Sequence, residues 1–305
     1  MLKPKVIVIG GPTASGKTAL SIELAKRIDG EIVSADSMQI YKEMNIGTAK
    51  PDDKEKQNIK HYMLDIIAPN ERYSVADYKR DAKNAIREII KKGKTPIVIG
   101  GTGLYIDSLI YEIEYPEIEI DLKYRKKLED LAEKEGLLSL YEKAKKIDEK
   151  AMEKISTNDR KRILRVLEIY HQTGKTKTEL DEESKKEPEF DYKMFAINMD
   201  REVLYDRINR RVDIMIEQGL IKEVEEIYKK YEEFPTAMQA LGYKEVVEYI
   251  EGKVTKEEMI EKIKMESRRY AKRQLTWFRK NKETKWLDGQ SNVLNNIDII
   301  LEEIK

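Results

Sequence analysis

One short stretch gathers the residue types that could handle a phosphate: Gly11-Pro12-Thr13-Ala14-Ser15-Gly16-Lys17-Thr18. Its spacing fits the P-loop template G-x-x-x-x-G-K-[ST]. Glycines let the backbone wrap around phosphate oxygens, and the loop N–H groups with a following helix N-terminus favour negative charge. Lys17 adds a point charge, and the Thr18 hydroxyl can ligate Mg²⁺. A second candidate is Asp36, in Ser34-Ala35-Asp36-Ser37-Met38-Gln39-Ile40-Tyr41. A carboxylate there could accept a proton from a reacting group, or it could simply cap a turn. Its position alone leaves both readings open. The loop says phosphate or pyrophosphate, with ATP as the default guest, and does not say which molecule carries it.

These residues need a frame. The apolar run Val6-Ile7-Val8-Ile9 precedes the loop, and Ala19-Leu20-Ser21-Ile22-Glu23-Leu24-Ala25 follows it in a helical pattern. That is strand, loop, helix. Glu31-Ile32-Val33-Ser34 reads as a second strand. Ligands of open α/β sheets bind outside the carboxyl ends of strands, so topology brings Asp36 near the loop. Ser74-Val75-Ala76-Asp77 opens a helix with a capping box, which runs through Ala82, Ala85, Ile86, Ile89 and Ile90 to Gly93. Pro96-Ile97-Val98-Ile99 is a third buried strand. Gly100-Gly101-Thr102-Gly103 after it is either a tight turn or a second ligand loop. Phe195-Ala196-Ile197-Asn198 and Lys285-Trp286-Leu287-Asp288 supply a return strand and a closing strand. The fold class is α/β with a parallel sheet.

From Asp121 to about Asp181 glycine is scarce and apolar residues recur at helical spacing, which predicts an inserted helical lobe. Within it Lys161, Arg162 and Arg165 form a basic cluster, with Arg162 and Arg165 on one helical face. Residues 182–191 read as a linker. A later helix holds Leu204, Ile208, Val212, Met215 and Ile216 inside and Arg207, Arg210 and Arg211 elsewhere on its surface. The last long helix carries six basic residues and no acid from Arg268 to Lys280, interleaved with aromatics. That is the footprint of a nucleic-acid face, or of an ordinary solvated helix.

The 305 residues allow one large domain or one with an insertion. With no cysteine, disulfides, thiolate metal sites and cysteine nucleophiles are excluded. No apolar run approaches a membrane span, and Met1-Leu2-Lys3-Pro4 leads straight into a strand rather than a signal peptide. Basic and acidic residues balance at 58 each, so any polyanion partner must be sought in the charge distribution.

The motifs in order resemble the tRNA dimethylallyltransferase family, bacterial type. The resemblance rests on the P-loop, on Ser34 to Tyr41, and on Tyr73-Ser74-Val75-Ala76-Asp77-Tyr78. It continues in Gly100-Gly101-Thr102-Gly103-Leu104-Tyr105, Asn158-Asp159-Arg160-Lys161-Arg162 and Tyr270-Ala271-Lys272-Arg273-Gln274-Leu275-Thr276-Trp277-Phe278. One departure is His61-Tyr62, where two adjacent histidines are expected. The resemblance implies a P-loop NTPase-like core over residues 1–118 and 190–305. It implies a helical insertion over 119–189 that grips a tRNA anticodon stem.

The implied reaction moves a dimethylallyl group from dimethylallyl diphosphate to the exocyclic amine of an adenosine next to the anticodon. Asp36 would be the general base, with Lys17 and Thr18 also catalytic. Gly11, Pro12, Thr13, Ala14, Ser15, Gly16, Lys17, Thr18 and Arg207 would hold the diphosphate, with Mg²⁺ on Thr18. Asp36, Ser37, Met38, Gln39, Thr102, Arg125, Lys161, Arg162, Arg165, Arg269, Lys272 and Arg273 would contact tRNA, with Gln39 on the extruded base. The enzyme would be a cytoplasmic monomer. A small-molecule or nucleotide kinase would use the same loop on ATP and the same aspartate, and a non-catalytic RNA-binding protein would carry the basic helices over an idle loop.

Overall fold

The computed structural model describes residues 3–113, 121–184 and 186–305. The chain divides into two compact units, Met1–Ile110 with Pro188–Lys305, and Tyr111–Glu187. The boundary expected at 118/119 lies outside the described residues. The second was expected at 189/190, and the division falls at 187/188.

The first unit is built on six strands: β1 (Lys5–Gly10), β2 (Gly30–Ser34), β3 (His61–Tyr62), β4 (Thr95–Gly100), β5 (Asp191–Asn198) and β6 (Lys285–Asp288). Their order is β3-β2-β4-β1-β5-β6, and every pairing is parallel. All the carboxyl ends therefore point the same way. The runs ending at Gly10, Ser34 and Gly100 deliver the P-loop, Asp36 and the second glycine loop to one edge.

Alternation along the strands builds two cores. Val6, Val8, Val33 and Val98 face the helices Val75–Lys91 and Gly103–Ile110, meeting Ala82, Ile86, Ile89, Ile106 and Leu109. Ile7, Ile9, Ile32, Ile97 and Ile99 face the other way, onto Leu20, Leu24, Leu204, Ile208, Ile297 and Ile300. Burial on both faces explains why these strands read as continuous apolar runs. A third cluster away from the sheet joins Ile40, Tyr41 and Met44 to Val212, Val224, Tyr243, Val246 and Ile263. The predicted capping box is present: Ser74 accepts from the Asp77 N–H, and Asp77 accepts from the Ser74 N–H.

The second unit is helical, with Leu122–Glu135, Leu137–Ile147 and Arg160–Thr173 its longer helices. Leu128, Leu140, Ala144, Ile163, Leu164 and Leu167 form its core.

Two readings of the sequence need correction. Strand β5 begins at Asp191, not Phe195, and Phe190 before it is buried, so the expected linker ends earlier. Pairing with β1, Lys5 to Asp191 through Gly10 to Ala196, extends the strand over Asp191-Tyr192-Lys193, residues with no apolar run to announce them.

The ends of β2 and β4 are drawn together tightly. The Ala35 N–H donates to Ile99 O (2.6 Å), and the Thr102 N–H donates to Ala35 O (3.1 Å). A Cβ on Gly100 would lie 2.1 Å from Ala35 O. Gly100→Ala is therefore expected to cost about 1–3 kcal/mol of stability through overpacking. A urea unfolding midpoint equal to the parent's would contradict this close approach.

Candidate functional site

The helix Lys17–Ile28 starts with no side-chain cap and no acidic residue in its first turn, and its N-cap, Gly16, is left-handed at φ 90°. Its first amides are thus left without a side-chain acceptor, which suits an anion. Ala14 holds a φ of 61°, a strained value for a residue with a Cβ. Lys17 Nζ folds back on the loop and donates to Gly11 O (3.0 Å) and Pro12 O (2.6 Å). The buried Ser15 hydroxyl has no hydrogen-bond partner.

Asp36 follows the end of β2. Its Oδ1 accepts from the N–H groups of Met38 (2.9 Å) and Gln39 (3.3 Å). The turn-capping reading is therefore correct, and it coexists with a place on a cavity wall. The Ser37 N–H donates to Thr102 Oγ1 (3.0 Å), so the loop after β4 braces the loop after β2.

One buried side chain ties these loops together. Gln274, in the helix Lys256–Phe278, accepts from the Thr13 N–H (2.9 Å) and donates to Gly101 O (3.1 Å). A Cβ on Gly101 would lie 2.0 Å from the Gln274 amide nitrogen, so only glycine permits this approach. Farther along the same helix, Trp277 Nε1 donates to Asp107 Oδ2 (2.9 Å). Gln274 lay inside the stretch read as an RNA face. Its signal was a polar residue in register with Ile263, Ser267, Ala271 and Phe278, all buried.

A cavity of about 350 Å³ opens where these loops meet, with Lys17, Thr18, Asp36, Arg211 and Tyr270 on its wall. Burial, reinforced by Arg211, lowers the Lys17 pKa to about 7, while Asp36 pulls against them. Burial also lowers the pKa of Arg211, again opposed by Asp36. The Tyr270 phenol is pushed up to about 12, by burial first and then by the Asp36 charge. Lys17, Arg211, Lys244 and Arg273 thus share the cavity wall with the Asp36 and Glu266 carboxylates.

Several expected contacts are placed differently. Arg207 is exposed and does not line the cavity; Arg211, one turn later, does. The Gln39 amide is engaged within the protein, accepting from Ser34 Oγ (3.1 Å) and donating to Thr48 O (3.2 Å) and Ala49 O (3.3 Å). These bonds hold Gln39 in the cavity wall. Thr102, though bonded to the Asp36 loop, is not a lining residue. Ser37, Met38 and Thr13 do line the cavity, and Ala14, Ser15 and Gly16 line a neighbouring one.

The wall formed by Gly47, Thr48 and Ala49 has a support the sequence did not reveal. Glu223 accepts from the N–H groups of Asn45 (3.0 Å), Ile46 (2.8 Å) and Gly47 (3.2 Å), and from the Tyr243 hydroxyl (2.5 Å).

Among the basic candidates of the second unit, Arg125 makes a two-pronged ion pair with the buried Glu168 (2.5 and 2.8 Å), and Arg165 lies 3.6 Å from the same carboxylate. Within this unit Arg125 thereby acts as the counter-charge of a buried carboxylate. Lys161 and Arg162 are exposed. In the first unit Arg269, Lys272 and Arg273 are exposed; Arg269 pairs with Glu266 (2.6 Å), and Arg273 lines the cavity over the Tyr270 ring. No helix among the described residues is long and apolar enough to cross a membrane.

Comparison with known proteins matches this chain to a family model described as IPP transferase over residues 39–281. The tRNA dimethylallyltransferase of Acetivibrio thermocellus is 51% identical, with 97% of each chain covered. That of Caldanaerobacter subterraneus is 49% identical over 92% of this chain and 91% of its own. The structure of the full-length tRNA isopentenylpyrophosphate transferase from Bacillus halodurans superposes with a TM-score of 0.74 at 42% identity, covering 99% of this chain and 96% of that one. A eukaryotic dimethylallyltransferase acting on tRNA superposes with a TM-score of 0.83 at 32% identity, covering 99% of this chain and 79% of that one.

The depressed Lys17 pKa has a measurable consequence. Above about pH 7 the free site holds the lysine largely neutral. A bound polyanion favours the charged form and raises the pKa again. Binding of inorganic diphosphate at about pH 8 should therefore take up protons, and affinity should fall as pH rises above 7. Calorimetry in buffers of different ionisation enthalpy reads this uptake, and Lys17→Met should abolish it. Identical uptake in the variant would assign the proton to another group.

Proposed function

The chain belongs to the IPP transferase family and transfers a dimethylallyl group to tRNA; from that premise we propose that the Asp36 cavity is where the transfer occurs. The donor is dimethylallyl diphosphate. The acceptor is the exocyclic amine of an adenosine beside the anticodon, and diphosphate is released. One observation carries this reading: Lys17 and Arg211 reach the wall of the same cavity as the Asp36 carboxylate.

The exocyclic amine is a weak nucleophile because its lone pair is delocalised into the ring. It attacks the first carbon of the allylic chain, and the carbon–oxygen bond to diphosphate breaks. The leaving group takes the electron pair. Its growing negative charge falls on Lys17, Arg211 and the first amides of the helix Lys17–Ile28, which have no side-chain cap, a fixed arrangement that needs little reorganisation. The nitrogen must lose a proton, and the Asp36 carboxylate accepts it. Oδ1 is held by two backbone N–H groups, which aims the second oxygen without consuming it.

The site suits Mg²⁺ only together with a phosphate. Among the described residues no group of three or more His, Cys, Asp or Glu side chains could hold a metal alone. Mg²⁺ takes one or two protein oxygens and completes its shell from phosphates and water. The Thr18 hydroxyl, with the partnerless Ser15 hydroxyl in the same loop, fits that donor chemistry. When bound, the ion would neutralise charge on the leaving diphosphate.

For tRNA, Lys161 and Arg162 in the second unit and Lys272 and Arg273 in the first are the exposed cations proposed to meet backbone phosphates. The target base must leave its stack, which costs a few kcal/mol and less in a loop than in a duplex. We propose that it acts as a monomer in the cytoplasm. A kinase using ATP at the same loop would form ADP without RNA.

Asp36→Asn keeps the oxygen that caps the turn and removes the base. Single-turnover transfer should fall about 10²–10⁴-fold with tRNA affinity retained; a near-parental rate would remove Asp36 from this role. Lys161→Ala with Arg162→Ala should weaken tRNA binding and flatten its salt dependence by about 0.7–0.9 in log–log slope per lost phosphate contact. An unchanged slope would return that helix to ordinary solvation.

A further inference from the structure

Two cavities meet at the P-loop. The first, of about 350 Å³, contains Asp36. The second, of about 1060 Å³, has an apolar wall that includes Ile22, Ile46, Pro51, Ile214, Val293 and Leu294. Ile214, Val293 and Leu294 are 49%, 36% and 42% exposed, so this wall offers apolar surface that the protein itself leaves uncovered.

Five residues line both cavities: Lys17, Thr18, Ala49, Arg211 and Met215. Three of them are the polar groups assigned to the diphosphate. Ala49 contributes a single methyl, and Gln39 holds its carbonyl in place. Met215 is therefore the one long apolar side chain at the shared boundary among the described residues. In the helix Arg201–Glu217, Arg211 and Val212 lie three and four residues after Ile208, and Met215 lies four and three residues after them, so the four share a face. The face that brings Arg211 to the diphosphate thus also presents apolar side chains to the hydrocarbon attached to it.

We propose that Met215 determines the length of the prenyl chain the enzyme accepts. The inference rests on the P-loop and Arg211 holding the donor diphosphate. With the diphosphate there, a five-carbon chain fits against Ile208, Val212 and Met215. A ten-carbon chain must pass Met215 to reach the larger cavity, and the side chain blocks it. Shortening Met215 opens that path onto the exposed apolar wall. The chemistry does not change: the amine nitrogen bonds to the first chain carbon, the carbon–oxygen bond breaks, diphosphate leaves with the electron pair, and Asp36 takes the proton.

The test compares dimethylallyl diphosphate with geranyl diphosphate as donors to unmodified anticodon stem-loop RNA, with products identified by mass spectrometry. Met215→Ala should raise the ratio of geranyl to dimethylallyl kcat/KM at least about tenfold, since a single methylene in an apolar pocket already discriminates about 10–200-fold. Met215→Leu, which keeps the bulk, should retain the parental ratio. Met215→Val gives the same reading if the alanine variant does not fold. An unchanged ratio in the shortened variants, with dimethylallyl transfer intact and Lys17→Ala defective in donor use, overturns the role of Met215 alone. Normal donor use by Lys17→Ala overturns the diphosphate placement and this inference with it.

Discussion

A single buried amide, that of Gln274, holds the P-loop to the glycine loop after β4. The Thr13 N–H and the Gly101 carbonyl have this side chain as their partner, and leaving such groups unsatisfied costs about 1–3 kcal/mol each. The second loop in turn receives Ala35 and Ser37, which fixes Asp36 against the strand ends. A chain of short polar contacts thus runs from the last long helix through two glycine loops to the carboxylate. Positioning of this kind comes from backbone geometry, which is stiffer than any surface side chain.

Electrostatics explain what that rigid frame is for. Lys17 and Arg211 line the same cavity as the Asp36 carboxylate, and burial works against both positive charges. Bringing two cations into a shared, poorly hydrated space is unfavourable until an anion arrives. The folded chain holds the arrangement because its packing over-determines it, in the manner of strained functional sites. Diphosphate bound beside them favours the charged form of Lys17. Lys17 also donates to the Gly11 and Pro12 carbonyls, which offset part of the cost of its burial.

The local signals in the sequence translated well. The loop, the buried strands and the Ser74 capping box are short-range features whose physics is complete within a few residues. Arg207 and Arg211 could have been separated as well. On a helix of 3.6 residues per turn, Arg211 lies about 20° from Leu204 and Arg207 about 60° away, so Arg211 shares the inward face. Gln274 was hidden by its neighbours, because a basic surface stripe and a buried polar anchor occupy opposite sides of one helix. Arg125 was not legible at all: its partner, Glu168, lies on a different helix, and no local pattern announces the pair. The same holds for Glu223, whose three backbone donors belong to a segment far away in the chain.

The strand order also sets a schedule for synthesis. Strand β1 pairs with β4 on one side and with β5 on the other, so one edge of it stays open until residues 111–187 have been made. The helical unit in that interval has local contacts and can fold early, whereas the parallel sheet waits for distant partners. Gln274 arrives later still. A nascent chain leaving the ribosome therefore carries a P-loop long before it carries a closed site, with an unpaired strand edge that other chains could join. The site closes only once Gln274 has been made, and the waiting sheet is the part of this protein with most to gain from a chaperone.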